Sequence, residues 1–159
     1  MVLDVTYINY KENATDMTLL IQRSTIDLAI AIEREIPEFD NPYDKTEYER
    51  RLSGANPLIL VATVDNVPAG YKVGYDRYRN GSYYSWVGGV LPEYRGRKIA
   101  NLLADEQEEW AAAQGYNRMI LKTKPKYENM LAFAQKRGFV LINVDATEEG
   151  EVLVLQKTL

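Results

Sequence analysis

The segment "SWVGGVLPEYRGRKIANLLADEQEEW", Ser85 to Trp110, leaves a chain few ways to fold around it. An apolar strand runs into the paired glycines Gly88 and Gly89, stops near Pro92, which cannot donate to a ladder, and gives way to a basic loop that opens a helix. Inside a strand, glycine gives up side-chain packing and adds backbone freedom, so the pair marks a bulge or a close approach of another group to the main chain. From Lys98 to Gln114 the period changes. Ile99, Leu102, Leu103, Trp110 and Ala113 share one helical face, and Gly115 follows the end of the run. A strand, a tight basic loop and an amphipathic helix in direct succession require sheet and helix layers packed on each other.

The flanking sequence supplies the other elements. Val5 to Tyr10 alternates as a strand. The apolar-periodic stretch from Thr15 to Glu35, with Leu19, Leu20, Ile26, Ala29, Ile30 and Ile32, predicts one long helix, or two broken near Ser24, ended by Pro37. A short helix is expected over Lys45 to Leu52. Leu58 to Val64 and Ala69 to Tyr78 read as a hairpin joined at Asp65 and Asn66, and a third strand, carrying the glycine pair, follows the turn at Asn80 and Gly81. Beyond the amphipathic helix, "YNRMILKT" is a buried-type strand and "PKYENMLAFAQKR" a second helix with Pro125 in its first turn. Strands over Phe139 to Val144 and Val152 to Gln156 close the chain. The order β, α, α, β, β, β, α, β, α, β, β predicts a mixed α/β sheet, and 159 residues suit one domain spanning 1–159.

Two absences narrow the chemistry. The chain has no histidine and no cysteine, which removes Ser/His/Asp triads, HExxH zinc sites, thiolate nucleophiles and disulfides, and no metal is expected. A formal net charge of −4 argues against nucleic acid as a partner. No apolar run approaches the ~18 residues of a membrane span, and no basic segment followed by an apolar stretch opens the sequence, so no membrane partner and a cytoplasmic location are expected. Neither a Walker loop nor a dinucleotide GxGxxG occurs.

The loop "EYRGRK" has the makings of an anion site. It sits where a helix begins, so main-chain N–H groups from about Gly96 to Ala100 lack helical partners and carry the positive end of the helix dipole. Arg95, Arg97 and Lys98 add full charges, and Gly96 and Ala100 keep bulk away, an arrangement suited to a phosphate or pyrophosphate. A solvated basic loop is the plain alternative.

In sequence, "VLPEYRGRKIANLL" resembles the acyl-CoA-binding segment of the GNAT superfamily of N-acyltransferases, whose loop reads Gln/Arg, any, any, Gly, any, Gly/Ala. Arg95 matches the first position and Ala100 the last, whereas Lys98 stands where the family usually has glycine. The resemblance extends over roughly Leu58 to Leu159. It implies a GNAT-like, mostly antiparallel central sheet flanked by helices, with a splayed, bulged central strand, and acetyl-CoA as acyl donor. Gly89, Val90, Arg95, Gly96, Arg97, Lys98, Ile99 and Ala100 would then contact the donor, with an N–H near Gly89 or Val90 polarising the thioester carbonyl.

The stretch "LKTKPKYENMLAFAQKRGF" is similar to the strand, helix and Gly/Phe close that follow this loop in the family. Asn129 is the nearest match to an asparagine that bonds the pantetheine arm. The tyrosine that protonates the departing thiolate in some members falls at Ala134, and Tyr127, two helical turns earlier, is the substitute acid the sequence offers. The implied reaction is direct acetyl transfer to a primary amine of a small molecule or peptide.

An alkyl amine of pKa near ~10.4 must lose a proton, which makes Glu33 and Glu35 the base candidates, with Tyr84 and Trp86 as pocket residues. The acidic run from Glu33 to Glu49 suits a cationic acceptor, or is simply a solvated face. A non-catalytic acyl-CoA-binding or sensing domain, and an interaction module without cofactor, stand as the alternatives. Monomer and homodimer remain equally open.

Overall fold

A computed structural model describes residues 5–159. Eight strands form one sheet in the order β1-β2-β3-β4-β5-β6-β8-β7. β1 (Val5–Glu12), β2 (Thr15–Arg23), β3 (Leu58–Val64), β4 (Val67–Tyr75) and β5 (Ser82–Val90) pair antiparallel with one another in that succession. β6 (Arg118–Thr123) is parallel to β5, and β8 (Gly150–Thr158) lies antiparallel between β6 and β7 (Val140–Thr147). This is the mixed, mostly antiparallel sheet that the sequence implies.

Helices cover both faces. On one, α1 (Ile26–Arg34) and α2 (Lys45–Leu52) bury Ile30, Ile32, Tyr48 and Leu52 against Val61, Tyr71, Val73 and Trp86. On the other, α3 (Ile99–Ala113) and α4 (Glu128–Lys136) bury Leu103, Trp110 and Ala134 against Leu60, Tyr83, Met119 and Leu155. Caps explain the starts of the first two helices. The Thr25 hydroxyl accepts from Leu28 N at 3.2 Å, and the Asp44 carboxylate accepts from Glu47 N at 2.9 Å.

Two expectations need correction. Thr15–Arg23 is strand, not the first half of a long helix. Asn13 and Ala14, both at positive φ, turn the chain back so that Glu12 pairs with Thr15, and Leu19 and Ile21 are buried at alternate positions. Each such burial stabilises the fold by roughly 1.5–3 kcal/mol, which outweighs any local helical preference. Only Ile26–Arg34 is helical. Pro125 likewise lies in a turn before α4, which begins at Glu128 with Tyr127 as its N-terminal cap. The short helix Lys45–Leu52 forms as expected, and Asp65 and Asn66, both at positive φ, join β3 to β4.

The strand carrying the glycine pair departs from a regular ladder in two ways. Against β4 the register shifts between Val73 and Gly74, so that Val73 faces Val87, Gly74 faces Ser85 and Trp86 is the extra residue of a bulge. Against β6, pairing covers only Ser82–Ser85 with Arg118–Leu121, although β5 continues to Val90 and β6 to Thr123. The two strands part there, leaving a fork open toward the start of α3.

Candidate active site

From the fork, β5 leads through a single 3-10 turn, Pro92–Tyr94, into the basic loop. Gly96 has φ +80°, and a side chain there would meet nothing within 4 Å, so the backbone is open on that side. Lys98 caps α3 with φ 64° and ψ 15°, the left-handed region that glycine enters without cost. That geometry is the physical reason for a glycine at this point in such loops, and here a lysine adopts it. The first helical hydrogen bond of α3 runs from Leu102 N to Lys98 O at 3.1 Å, so the amides at the start of the helix have no helical acceptor. Ile99 is buried beneath the turn and Ala100 exposed beside it.

The charges of the loop are held by partners within the chain. Arg95 forms a two-pronged ion pair with Glu38 and donates from Nε to Val90 O at 3.0 Å, tying the loop to the end of β5 and to the segment after α1. Arg97 pairs with Glu12 at 2.8 Å and lies over the Tyr94 ring. Lys98 is exposed. An incoming polyanion would therefore meet bare amides and Lys98 first, and Arg95 and Arg97 by exchanging carboxylates.

Both glycines of the pair are accounted for by close neighbours. A Cβ on Gly89 would sit 2.6 Å from Ile36 Cδ1, so this glycine lets the segment just after α1 settle on the strand. A Cβ on Gly88 would sit 3.0 Å from Tyr71 O and 3.3 Å from Lys72 Cγ. Something does lie against this backbone, and in the described residues it is protein.

At the fork is a small cavity whose wall includes Ser85, Leu121, Lys72, Ala134 and Arg137. Ser85 and Leu121 are the last pair of the β5–β6 ladder, so the cavity sits where the strands part. A groove of about 330 Å³ continues outward between α3 and α4, with Asn101, Lys136 and Lys157 on its wall. Met130, Phe133 and Ala134 turn the same face of α4 to the cavity. Tyr127, half-buried at the cap of α4, is three residues before Met130 and seven before Ala134, on that side of the helix. Asn129 is exposed on the first turn.

On the opposite face, Glu33 is 2% exposed. Its carboxylate accepts from Tyr48 Oη and Tyr71 Oη, each at 3.2 Å. Burial raises its pKa, and the hydrogen bonds from Tyr71, Tyr48 and the Tyr43 backbone oppose that rise without cancelling it. Tyr71 stands opposite Gly89 in the β4–β5 ladder, which places this carboxylate one hydroxyl away from the bulged strand. Glu35, the residue after α1, is exposed to solvent and outside this cluster.

Tyr84 and Trp86 share the α1/α2 face of β5. Trp86 packs against Tyr48 and Tyr43 at ring distances of 4.7 and 4.9 Å, with the Arg51 guanidinium 4.7 Å from its ring centre. Its Nε1 is buried with no acceptor among the described residues. Tyr84 packs edge-on against Tyr75 at 5.6 Å, and burial pushes its hydroxyl up to about 12. Part of the acidic run nearby is engaged: Glu38 with Arg95, Glu47 with Arg50 and Arg51, and Asp44 in a cap.

A model of the acetyltransferase (GNAT) family matches residues 26–139. The chain belongs to the GNAT acetyltransferase family. By that membership it is an acyl-CoA-dependent acyltransferase, the class that the basic loop implies. The fold is shared with solved structures of low sequence identity. Ard1 from Thermoplasma volcanium superimposes with a TM-score of 0.75 at 15% identity, covering 89% of this chain and 97% of that one. The ribosomal-protein alanine N-acetyltransferase of Escherichia coli gives 0.75 at 13%, covering 88% and 93%. Arabidopsis thaliana Naa50, solved with the bisubstrate analogue CoA-Ac-MVNAL, gives 0.73 at 16%, covering 89% and 99%.

Two features of the site escaped the sequence reading. Tyr71 and Tyr48, the donors to Glu33, were unremarkable among twelve tyrosines. Lys72 carried a signal that could have found it, a cation within the otherwise uncharged strand "VPAGYKVGY".

Proposed function

We propose that this protein transfers an acetyl group from acetyl-CoA directly to a primary amine of a small molecule or a peptide. The observation that carries the reading is the combination of the β5–β6 fork with the turn that follows β5, where Gly96 and Lys98 at positive φ and the unbonded amides at the start of α3 meet. Such a turn suits a pyrophosphate. The fork suits a slender arm that pairs with exposed strand edges. The phosphates would lie against Gly96, Arg97, Lys98, Ile99 and Ala100, with Arg95 released from Glu38 to join them. The pantetheine arm would run past Asn129 toward Gly89 and Val90, and Tyr127 would line its entry.

Proton removal falls to Glu33 rather than Glu35. Its raised pKa brings it nearer to neutral pH, where a base is most effective, and Tyr71 links it to the strand that would carry the thioester. At 2% exposure it acts through a tyrosine hydroxyl or a water, not by touching the amine. Of the seven carboxylates in the acidic run only Glu38 and Glu47 are ion-paired among the described residues, so the acceptor side still suits a cationic amine. Tyr84 and Trp86 offer aromatic walls and an unused indole N–H. Naa50 was solved with a bisubstrate analogue containing the sequence MVNAL, which makes peptide amino termini a first class to try.

The test is thiol release from acetyl-CoA in the presence of a panel of peptides with free amino termini and of small primary amines. Amine-dependent release with a matching acetylated product supports the reading. Saturable acetyl-CoA binding with no release for any amine would replace it with a non-catalytic sensing domain of the same fold.

A further inference from the structure

Lys72 stands on β4 opposite Gly88. Strand alternation sends it to the face opposite Tyr71 and Val73, which belong to the α1/α2 core. Its stem crosses Gly88 at near-contact distance and its side chain lines the cavity at the fork, together with Ser85, Leu121 and Ala134. A glycine under the stem is what makes room for it.

Lys72 is half-buried, and an ammonium partly withdrawn from water is stabilised by an anion beside it. Glu108 faces it from α3, but both its oxygens are taken: Oε1 accepts from Lys157 and Oε2 from Arg137 at 2.8 Å. Arg137, also bound to Asp105, faces Lys72 from beyond α4 and repels it. Among the described residues Lys72 forms no ion pair. The cavity thus holds a cation whose natural counter-charge is absent from the protein, at the point where β5 and β6 part. Burial pulls the Lys72 pKa down to about 8, with Arg137 adding to the fall and Glu108 opposing it.

We infer that Lys72 is the acid for the leaving group: its ammonium faces the coenzyme A sulfur, stabilises the thiolate as the thioester breaks and delivers the proton to it. This rests on the acetyl-CoA reading above. The acceptor nitrogen attacks the carbonyl carbon and a C–N bond forms. The C–S bond breaks with its electron pair going to sulfur, and Lys72 Nζ transfers a proton there. The proton shed by the acceptor nitrogen leaves through the Glu33 side to solvent, and solvent returns one to Lys72. The balance is thioester plus amine giving amide plus thiol, with no other reactant. A lysine near 8 matches a thiol near ~8.5, which favours proton transfer in the transition state. Ala134, on the same cavity wall, supplies no hydroxyl that could do this instead.

Coenzyme A itself is the probe, so no acceptor need be known. The bound thiol is titrated by its thiolate absorbance in the ultraviolet, in the native protein, in Lys72→Met and in Lys72→Arg, with circular dichroism confirming the fold. The bound thiol should ionise about one pH unit lower in the native protein and in Lys72→Arg than in Lys72→Met, a tenfold change in proton affinity. Equal midpoints in all three, with coenzyme A bound, would overturn the inference and leave the cofactor reading intact. Should Lys72→Met fail to fold, the native complex decides alone: a bound thiol ionising no more readily than free coenzyme A refutes the role. Failure of the native protein to bind coenzyme A would instead remove the cofactor reading itself.

Discussion

On the α1/α2 face of the sheet the buried carboxylate of Glu33 has its donors, Tyr48 and Tyr71, and aromatic rings seal the space around it. On the α3/α4 face the half-buried Lys72 lines a cavity where the nearby carboxylate is already spent. Polar groups inside a protein are ordinarily paired. Glu33 is paired, but Trp86 Nε1 on the same face is not among the described residues, so each face keeps a polar group free for something that arrives later. On the function proposed above, the α3/α4 half would hold the donor and the α1/α2 half would handle the acceptor and a proton.

The sharpest way to break this division is Glu33→Gln. The amide keeps the shape and can still bond the tyrosines but cannot take a proton, so turnover should fall by ~10²-fold or more while acetyl-CoA affinity stays unchanged. In the native enzyme kcat/KM should rise with pH through the raised carboxyl pKa, since the base must be ionised, and that limb should vanish in the variant. A parallel loss of acetyl-CoA affinity, measured by calorimetry, would show that the two faces are not separate.

Next in size is Gly96→Val on the donor side. A branched residue at φ +80° must rebuild the turn, at a cost of ~1–2 kcal/mol or more, so acetyl-CoA affinity should drop at least about tenfold with the fold intact. Full affinity in this variant would move the phosphates elsewhere.

Lys72→Met should make the ligand-free protein more stable at neutral pH, on the order of 1–3 kcal/mol, by removing an uncompensated charge. The sign follows from linkage. The folded state gives up this proton near pH 8, whereas the unfolded chain holds it to the ordinary lysine value of 10.5. Native stability therefore gains a contribution as pH rises across that window, and chemical denaturation should show the gain missing in the variant.

The smallest effect is expected of Lys98→Gly, which relieves a left-handed lysine and should stabilise the fold by about 1 kcal/mol, read as a shift in denaturation midpoint. Its affinity for acetyl-CoA then reports whether the Lys98 charge outweighs the strain.

What the sequence made legible follows the same division. The loop proposed for the donor was legible as a strand end, turn and helix start because its signals are local: a Pro that stops a strand, glycine in a turn, charges at a helix start. Lys98 departed from the expected glycine, and only φ showed that the position is one glycine suits. The acceptor side was not readable, because its features come from residues far apart in the chain. Glu33, Tyr48 and Tyr71 meet only once α1, α2 and β4 are packed. Thr15–Arg23 was misread because apolar residues at successive positions fit a helix and a strand equally until the Asn13–Ala14 turn supplies a partner. Lys72 stood in plain view, but what it lacks depends on Glu108 being engaged by Arg137 and Lys157 from two other elements.

Calorimetric titration of the native protein with acetyl-CoA, with dephospho-CoA alongside, tests the central claim most directly. Saturable one-to-one binding that Gly96→Val weakens at least about tenfold is the predicted result. No heat of binding, or equal binding to the Gly96→Val protein, would contradict a donor site built from the fork and the turn before α3.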